Sequence, residues 1–178
     1  MFIEEKYSKI FEYIEKVLCG KNDDVSGLTV KFSFRKRSEH IFCVFIWANR
    51  LLNNEKYSKI NKEAVLIASL FHDVGYAISL NAKDHAENSE IIFRNYCKKN
   101  SCIKDVDFTS FLIKNHSHKK LLQSEDTLIE LILLMEADLL DEAGTMTIVW
   151  DCMAEGVKKS QSYINYEKNN SKFKNDIR

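Results

Sequence analysis

Apolar positions recur at helical spacing along most of the chain. Phe2, Tyr7, Ile10, Phe11, Ile14 and Leu18 form one stripe with polar residues between them, and the run stops at Cys19-Gly20. After a polar stretch over 21–26 comes a short segment, Leu28 to Phe34, with an extended pattern. A second helix is predicted from about Ser38 to Asn53 and a third from about Asn61 to Val74, closed by Gly75. The third has almost no polar face, since Ala64-Val65-Leu66-Ile67-Ala68 and Leu70-Phe71 surround its axis, which predicts burial on all sides. A fourth begins at Asp84, where Asp84 and Glu87 have the spacing of a capping box. The fifth covers about Val106 to His116, the sixth Asp126 to Glu142, and a seventh Thr147 to Gly156. The pattern predicts an all-α protein, a compact bundle of about seven helices.

Composition fits that picture. Proline is absent and glycine occurs five times in 178 residues, which is poor stock for a turn-rich β-protein. With 26 basic against 26 acidic residues, the chain lacks the basic excess of a protein that binds bulk nucleic acid or an anionic membrane. The longest apolar run, Ile41 to Ala48, is too short for a membrane span. The start Met1-Phe2-Ile3-Glu4-Glu5 has no secretory character. Five scattered cysteines without a C-x-x-C pair predict reduced core thiols and a cytoplasmic location. One domain is expected over 1–178, with a basic, Asn- and Lys-rich tail at 157–178.

Two groups of residues do not suit a bundle core. The most apolar helix ends in Phe71-His72-Asp73-Val74-Gly75, and a carboxylate drawn into a dry core costs several kcal/mol unless something pairs with it. A plain helix end offers another reading, with His72 beside the terminal carbonyls and Asp73 in solvent. The second group is Glu136, Asp138 and Asp141, crowded among leucines, with Asp138 and Asp141 three residues apart on one face. A cation would relieve that repulsion, and so would a solvated helix stripe. His40 lies near the start of the second helix and His72 near the end of the third. If the two helices form an antiparallel hairpin, both imidazoles arrive at one level. Two histidines with the adjacent aspartate are a donor set for a first-row divalent metal. The same arithmetic does not place Asp138, because the loop ahead of its helix is long.

The ordered set His40, His72-Asp73 and Asp138 resembles the H…HD…D signature of the HD-domain superfamily of metal-dependent phosphohydrolases. His72-Asp73-Val74-Gly75 is similar to the HD-[I/V]-G form of its central motif, and Glu136-Ala137-Asp138-Leu139-Leu140-Asp141 to the segment around the last ligand. The resemblance covers about 35–156. It implies a helical bundle in which His40, His72, Asp73 and Asp138 hold a divalent ion, with His72 and Asp73 at the catalytic centre. Such an ion lowers the pKa of a bound water and polarises a phosphoryl oxygen. The substrate class implied is a small phosphorylated molecule, above all a nucleotide, with manganese first among Mn, Fe, Co, Ni and Mg. No nucleic-acid or membrane partner is implied, and a homodimer is allowed.

Two positions depart from the family pattern. Cys43 and Leu139 stand where many relatives carry arginine, which opens the reading of a metal- or nucleotide-binding sensor without turnover. His85 and His116 resemble the extra ligands of members holding two metals, so one ion per chain is expected with room for a second, which opens a further alternative, a di-iron oxygenase. With one metal, His85 and His116 would line the substrate phosphate instead. A helix start at His85 and a helix end at His116 would account for both without any ligand. Arg37 and His118 are weaker candidates for the substrate phosphate.

Overall fold

The computed structural model describes residues 4–19, 36–79, 81, 83–100 and 103–143. Six α-helices account for most of them: α1 (Glu5–Leu18), α2 (Arg37–Leu52), α3 (Lys62–Phe71), α4 (His85–Lys99), α5 (Val106–Asn115) and α6 (Ile129–Glu142). Short 3-10 turns cover Glu55–Tyr57, Val74–Ala77 and Lys119–Gln123, and no β-strand occurs among the described residues. The expected helix over Thr147–Gly156, the extended segment at Leu28–Phe34 and the tail at 157–178 lie outside the described residues. Six helices, not seven, therefore make up the bundle that is seen.

Every residue from Ala64 to Phe71 is buried, as the lack of a polar face on α3 predicts. α3 is the central rod, packed against α1, α2, α4, α5 and α6. Asn61 caps its start by accepting from Ala64 N–H at 3.1 Å. Phe71 joins it to α4 through Phe93 and Tyr96, with ring centroids 5.1 and 5.4 Å apart. No helix among the described residues is long and apolar enough to cross a membrane.

Two local expectations need correction. α3 ends at Phe71, three residues short of Val74. Asp73 has φ −111° and ψ 2°, outside the helical basin, so the chain turns at the His-Asp pair and re-enters as the 3-10 turn Val74–Ala77. The capping box at Asp84 does not form. Asp84 has near-helical dihedrals and makes no side-chain cap bond, and its carboxylate accepts from Asn81 Nδ2 at 2.8 Å.

The turn after α3 depends on glycine. A Cβ on Gly75 would lie 2.0 Å from His85 O and 2.6 Å from Ser89 N, so only glycine lets this turn press against the start of α4. Ser89 Oγ locks the contact: it accepts from Gly75 N–H at 2.8 Å and donates to His72 O at 2.7 Å. His72, Asp73 and His85 are brought together by this close approach.

Candidate metal centre

Four histidines and two aspartates meet where α2, α3, α4, α5 and α6 converge. His40, His72, Asp73, His85, His116 and Asp138 are all at least nine-tenths buried, and His72 is wholly so. The reading in which Asp73 leans into solvent at a plain helix end does not hold.

α2 and α3 pack side by side, and His40 Nε2 and His72 Nε2 lie 3.2 Å apart. Each ring spends its other nitrogen elsewhere. His72 Nδ1–H donates to Ser69 O at 2.8 Å, and His40 Nδ1–H donates to Asp141 Oδ2 at 2.6 Å. In the neutral rings both Nε2 atoms are therefore bare lone pairs pointing at each other, an arrangement that needs a positive charge between them. Asp138 Oδ1 stands 3.3 Å from His40 Nε2 and 3.8 Å from His72 Nε2. Asp73 Oδ2 is 3.5 Å from His40 Nε2, and Asp73 Oδ1 is 3.8 Å from His72 Nε2. Two imidazole nitrogens and an Asp73 oxygen thus come within 4.8 Å of one another, and Asp138 borders the two imidazoles beside that set.

The same construction is repeated at the end of α5. His116 Nδ1–H donates to Ile113 O at 2.6 Å, which leaves its Nε2 facing His85 Nε2 at 3.1 Å. Asp73 Oδ1 lies 3.4 Å from His85 Nε2 and 3.6 Å from His116 Nε2. Two sets of three donors result, His40-His72-Asp73 and Asp73-His85-His116, each within 4.8 Å of one another and sharing Asp73. Buried N and O donors of this kind, with His40, His72 and His116 already held through Nδ1, fit divalent metal ions.

Protonation follows from these contacts. Burial lowers the pKa of His40, but hydrogen bonds to Asp138 and Asp141 and the nearby Asp73 charge outweigh it and raise the ring to about 9. His72 is fully buried, and desolvation pulls it down to about 4. Burial would raise Asp73, yet the His72 and Arg37 charges hold its carboxyl well below the usual range. Asp138 is likewise held low, with burial overcome by His40, His72 and Lys119. Glu142, one turn beyond Asp138, reaches the surface, yet desolvation followed by the Asp138 charge pushes it up to about 7. In the metal-free protein a proton on His40 therefore takes the place of a cation between the two rings.

Three further residues border the cluster. Arg37 is buried and its Nη1–H donates to Asp73 Oδ2 at 2.7 Å. Its guanidinium stacks 3.9 Å from the centre of the Tyr76 ring, whose stacking neighbour at 4.8 Å is His85. Lys119 donates to Asp138 Oδ2 in a close contact. His118 does not join the cluster; it is exposed in the turn after α5, with Nδ1 3.3 Å from Asn115 Oδ1. Sequence reasoning missed Lys119, whose only local signal is its place three residues after His116. It also missed the contact of Asp141 with His40, although Asp141 stood out as a crowded acid.

A family model for the HD domain matches residues 37–143, more than half of the chain, and its span contains every residue of the cluster. The chain belongs to the HD-domain family. Its six buried donors sit in the order His40, His72, Asp73, His85, His116 and Asp138 within an all-α HD domain of the metal-dependent phosphohydrolase superfamily. No curated protein and no solved structure matches the chain.

Proposed function

We propose that this HD-domain protein is a metal-dependent hydrolase that cleaves a phosphate ester or anhydride of a small molecule, with nucleotides the first class to assay. The observation that carries the reading is the pair of opposed Nε2 lone pairs of His40 and His72, ringed by Asp73 and Asp138. His40, His72 and Asp73 would hold one divalent ion, with Asp138 beside both rings as its fourth ligand, and His85 and His116 a second that shares Asp73. Such ions supply Lewis acidity, lowering the pKa of water and drawing charge off a phosphoryl oxygen.

The chain's own part is positioning. Asp141 holds the His40 ring by its Nδ1–H, so that Nε2 stays aimed at the ligand point. Ser69 O and Ile113 O do the same for His72 and His116. Arg37 keeps Asp73 ionised and fixes one of its oxygens.

The test uses Asp73→Asn and Asp138→Asn, which keep side-chain shape and remove charge. Elemental analysis would give metal per chain, and phosphate release would be followed over a panel of nucleoside phosphates with Mn²⁺, Co²⁺, Ni²⁺ and Mg²⁺. Both variants should keep the helical circular dichroism spectrum. Each should lose metal and lose activity by more than the about 10–100-fold typical of changes behind the ligands. Full turnover in either variant would remove the proposal. The shared Asp73 favours a two-metal centre, so two irons per chain with O2 consumption and no phosphate release would instead establish an oxygenase.

A further inference from the structure

The two carboxylates on the His40 side of the cluster each carry a cation on their Oδ2 atom. Arg37 Nη1 holds Asp73 Oδ2, which also stands 3.5 Å from His40 Nε2, and Lys119 Nζ holds Asp138 Oδ2, while Asp73 Oδ1 faces His85 and His116 and Asp138 Oδ1 faces His40. Neither cation is used up by its carboxylate. Arg37 Nε is buried with no hydrogen-bond partner among the described residues, although a buried N–H on a charged group is costly to leave unpaired. Nε and Nη2 form the side-on edge of the guanidinium, the edge that grips an oxyanion bidentately. Stacking on Tyr76 holds the plane of that fork. Lys119 lies on a 3-10 turn rather than a packed helix, and its side chain is 35% exposed. Its ammonium has three donors on a flexible stem.

We propose that Arg37 and Lys119 form a two-cation clamp for a phosphate group presented to the metal centre. Arg37 is the rigid jaw, with Nε and Nη2 turned to two phosphate oxygens while Nη1 stays on Asp73. Lys119 is the mobile jaw, shared between Asp138 and the ligand. The clamp gives the cations at these positions a use beyond neutralising carboxylates. It also supplies positive charge that Cys43 and Leu139 cannot. The choice of phosphate rests on the hydrolase reading, but binding is measured without turnover.

Inorganic phosphate is the probe, titrated calorimetrically into Mn²⁺-loaded full-length protein, with acetate at equal ionic strength as the control. Lys119→Gln and Arg37→Gln should each weaken phosphate binding by about tenfold or more, the size of one charge-assisted hydrogen bond. Lys119→Arg should restore most of it, whereas Arg37→Lys, which lacks the fork, should not. Metal content should stay at the wild-type level in both Lys119 variants, because Asp138 Oδ1 still faces His40. Unchanged phosphate affinity in Lys119→Gln overturns the clamp. Loss of phosphate binding only in step with loss of metal, or equal tightness for acetate, also overturns it. Phosphate held by both cations in a protein that hydrolyses nothing would keep the clamp and sink the hydrolase.

Discussion

The His40 ring is where proton and metal compete most directly. Its Nε2 is raised to about 9 without metal, yet it must be bare to ligate. Metal uptake at neutral pH should therefore expel a proton. Affinity should climb with pH between about 6.5 and 9 and then level off, with close to one proton released per ion on the acid side of that window. Calorimetry in buffers of different ionisation heat measures the release directly. Asp141→Asn removes a partner that raises the ring, so its affinity should change less with pH. A wild-type affinity that is flat across this range would show that His40 is not a ligand. Some of this chemistry was legible from single residues: His72, Asp73 and Asp138 stand out as polar groups in apolar surroundings, and His40 follows from its level in the hairpin with His72. Lys119 was not, because a lysine in a turn beside another lysine looks like any solvated charge. Its meaning comes only from the carboxylate it meets across 19 positions.

Among the elements, α2 and α3 were the most readable. Once the two helices are taken as an antiparallel hairpin, their lengths put His40 and His72 at one level, because rise per residue is fixed in a helix. The ends of helices were less readable. The HD motif looked like the last turn of α3 but is a break, and the Asp84–Glu87 spacing imitates a cap that does not form. Local signals set where a helix can stop, whereas packing decides where it does. The break at Asp73 is held by Gly75 and Ser89. Gly75→Ala has no room for its methyl against His85 O, so it should push the turn away from α4 and separate Asp73 from His85. Ser89→Ala leaves His72 O and Gly75 N–H without their shared partner, a cost of about 1–3 kcal/mol for each buried group left unpaired. Denaturant melts and metal content would read both. A Gly75→Ala protein with wild-type stability and two metals would refute this role for the turn.

For the whole molecule, the metal-free centre sets opposing pH limits. His40, with its pKa raised from 6.5 to about 9, contributes stability that is full below about 6.5 and lost as pH rises through 9. His72, lowered from 6.5 to about 4, contributes stability that is full above about 6.5 and lost as pH falls through 4. The metal-free protein should be most heat-stable near pH 6.5, with Tm falling on both sides. Bound metal should stabilise the fold by mass action, by about 2.7 kcal/mol at a hundredfold excess over Kd, and so raise Tm and flatten the alkaline fall. Scanning calorimetry with and without chelator checks this, and identical curves would mean that the cluster binds no metal. The all-α architecture was legible from periodicity, since each buried stripe is written in neighbouring residues. The convergence of α6 on the cluster was not, because the stretch from His116 to Ile129 carries no regular period to fix its path.

α3 and α5 finish in the same way: the residue just past each helix is a histidine that reaches back three positions to an otherwise spare carbonyl. That one bond closes the helix and leaves the opposite ring nitrogen bare before any ion arrives. Replacing either histidine would therefore fray a helix as well as remove a ligand. Substitution here should be tolerated poorly even by a descendant that had given up chemistry altogether, so these two positions can outlast the activity they serve.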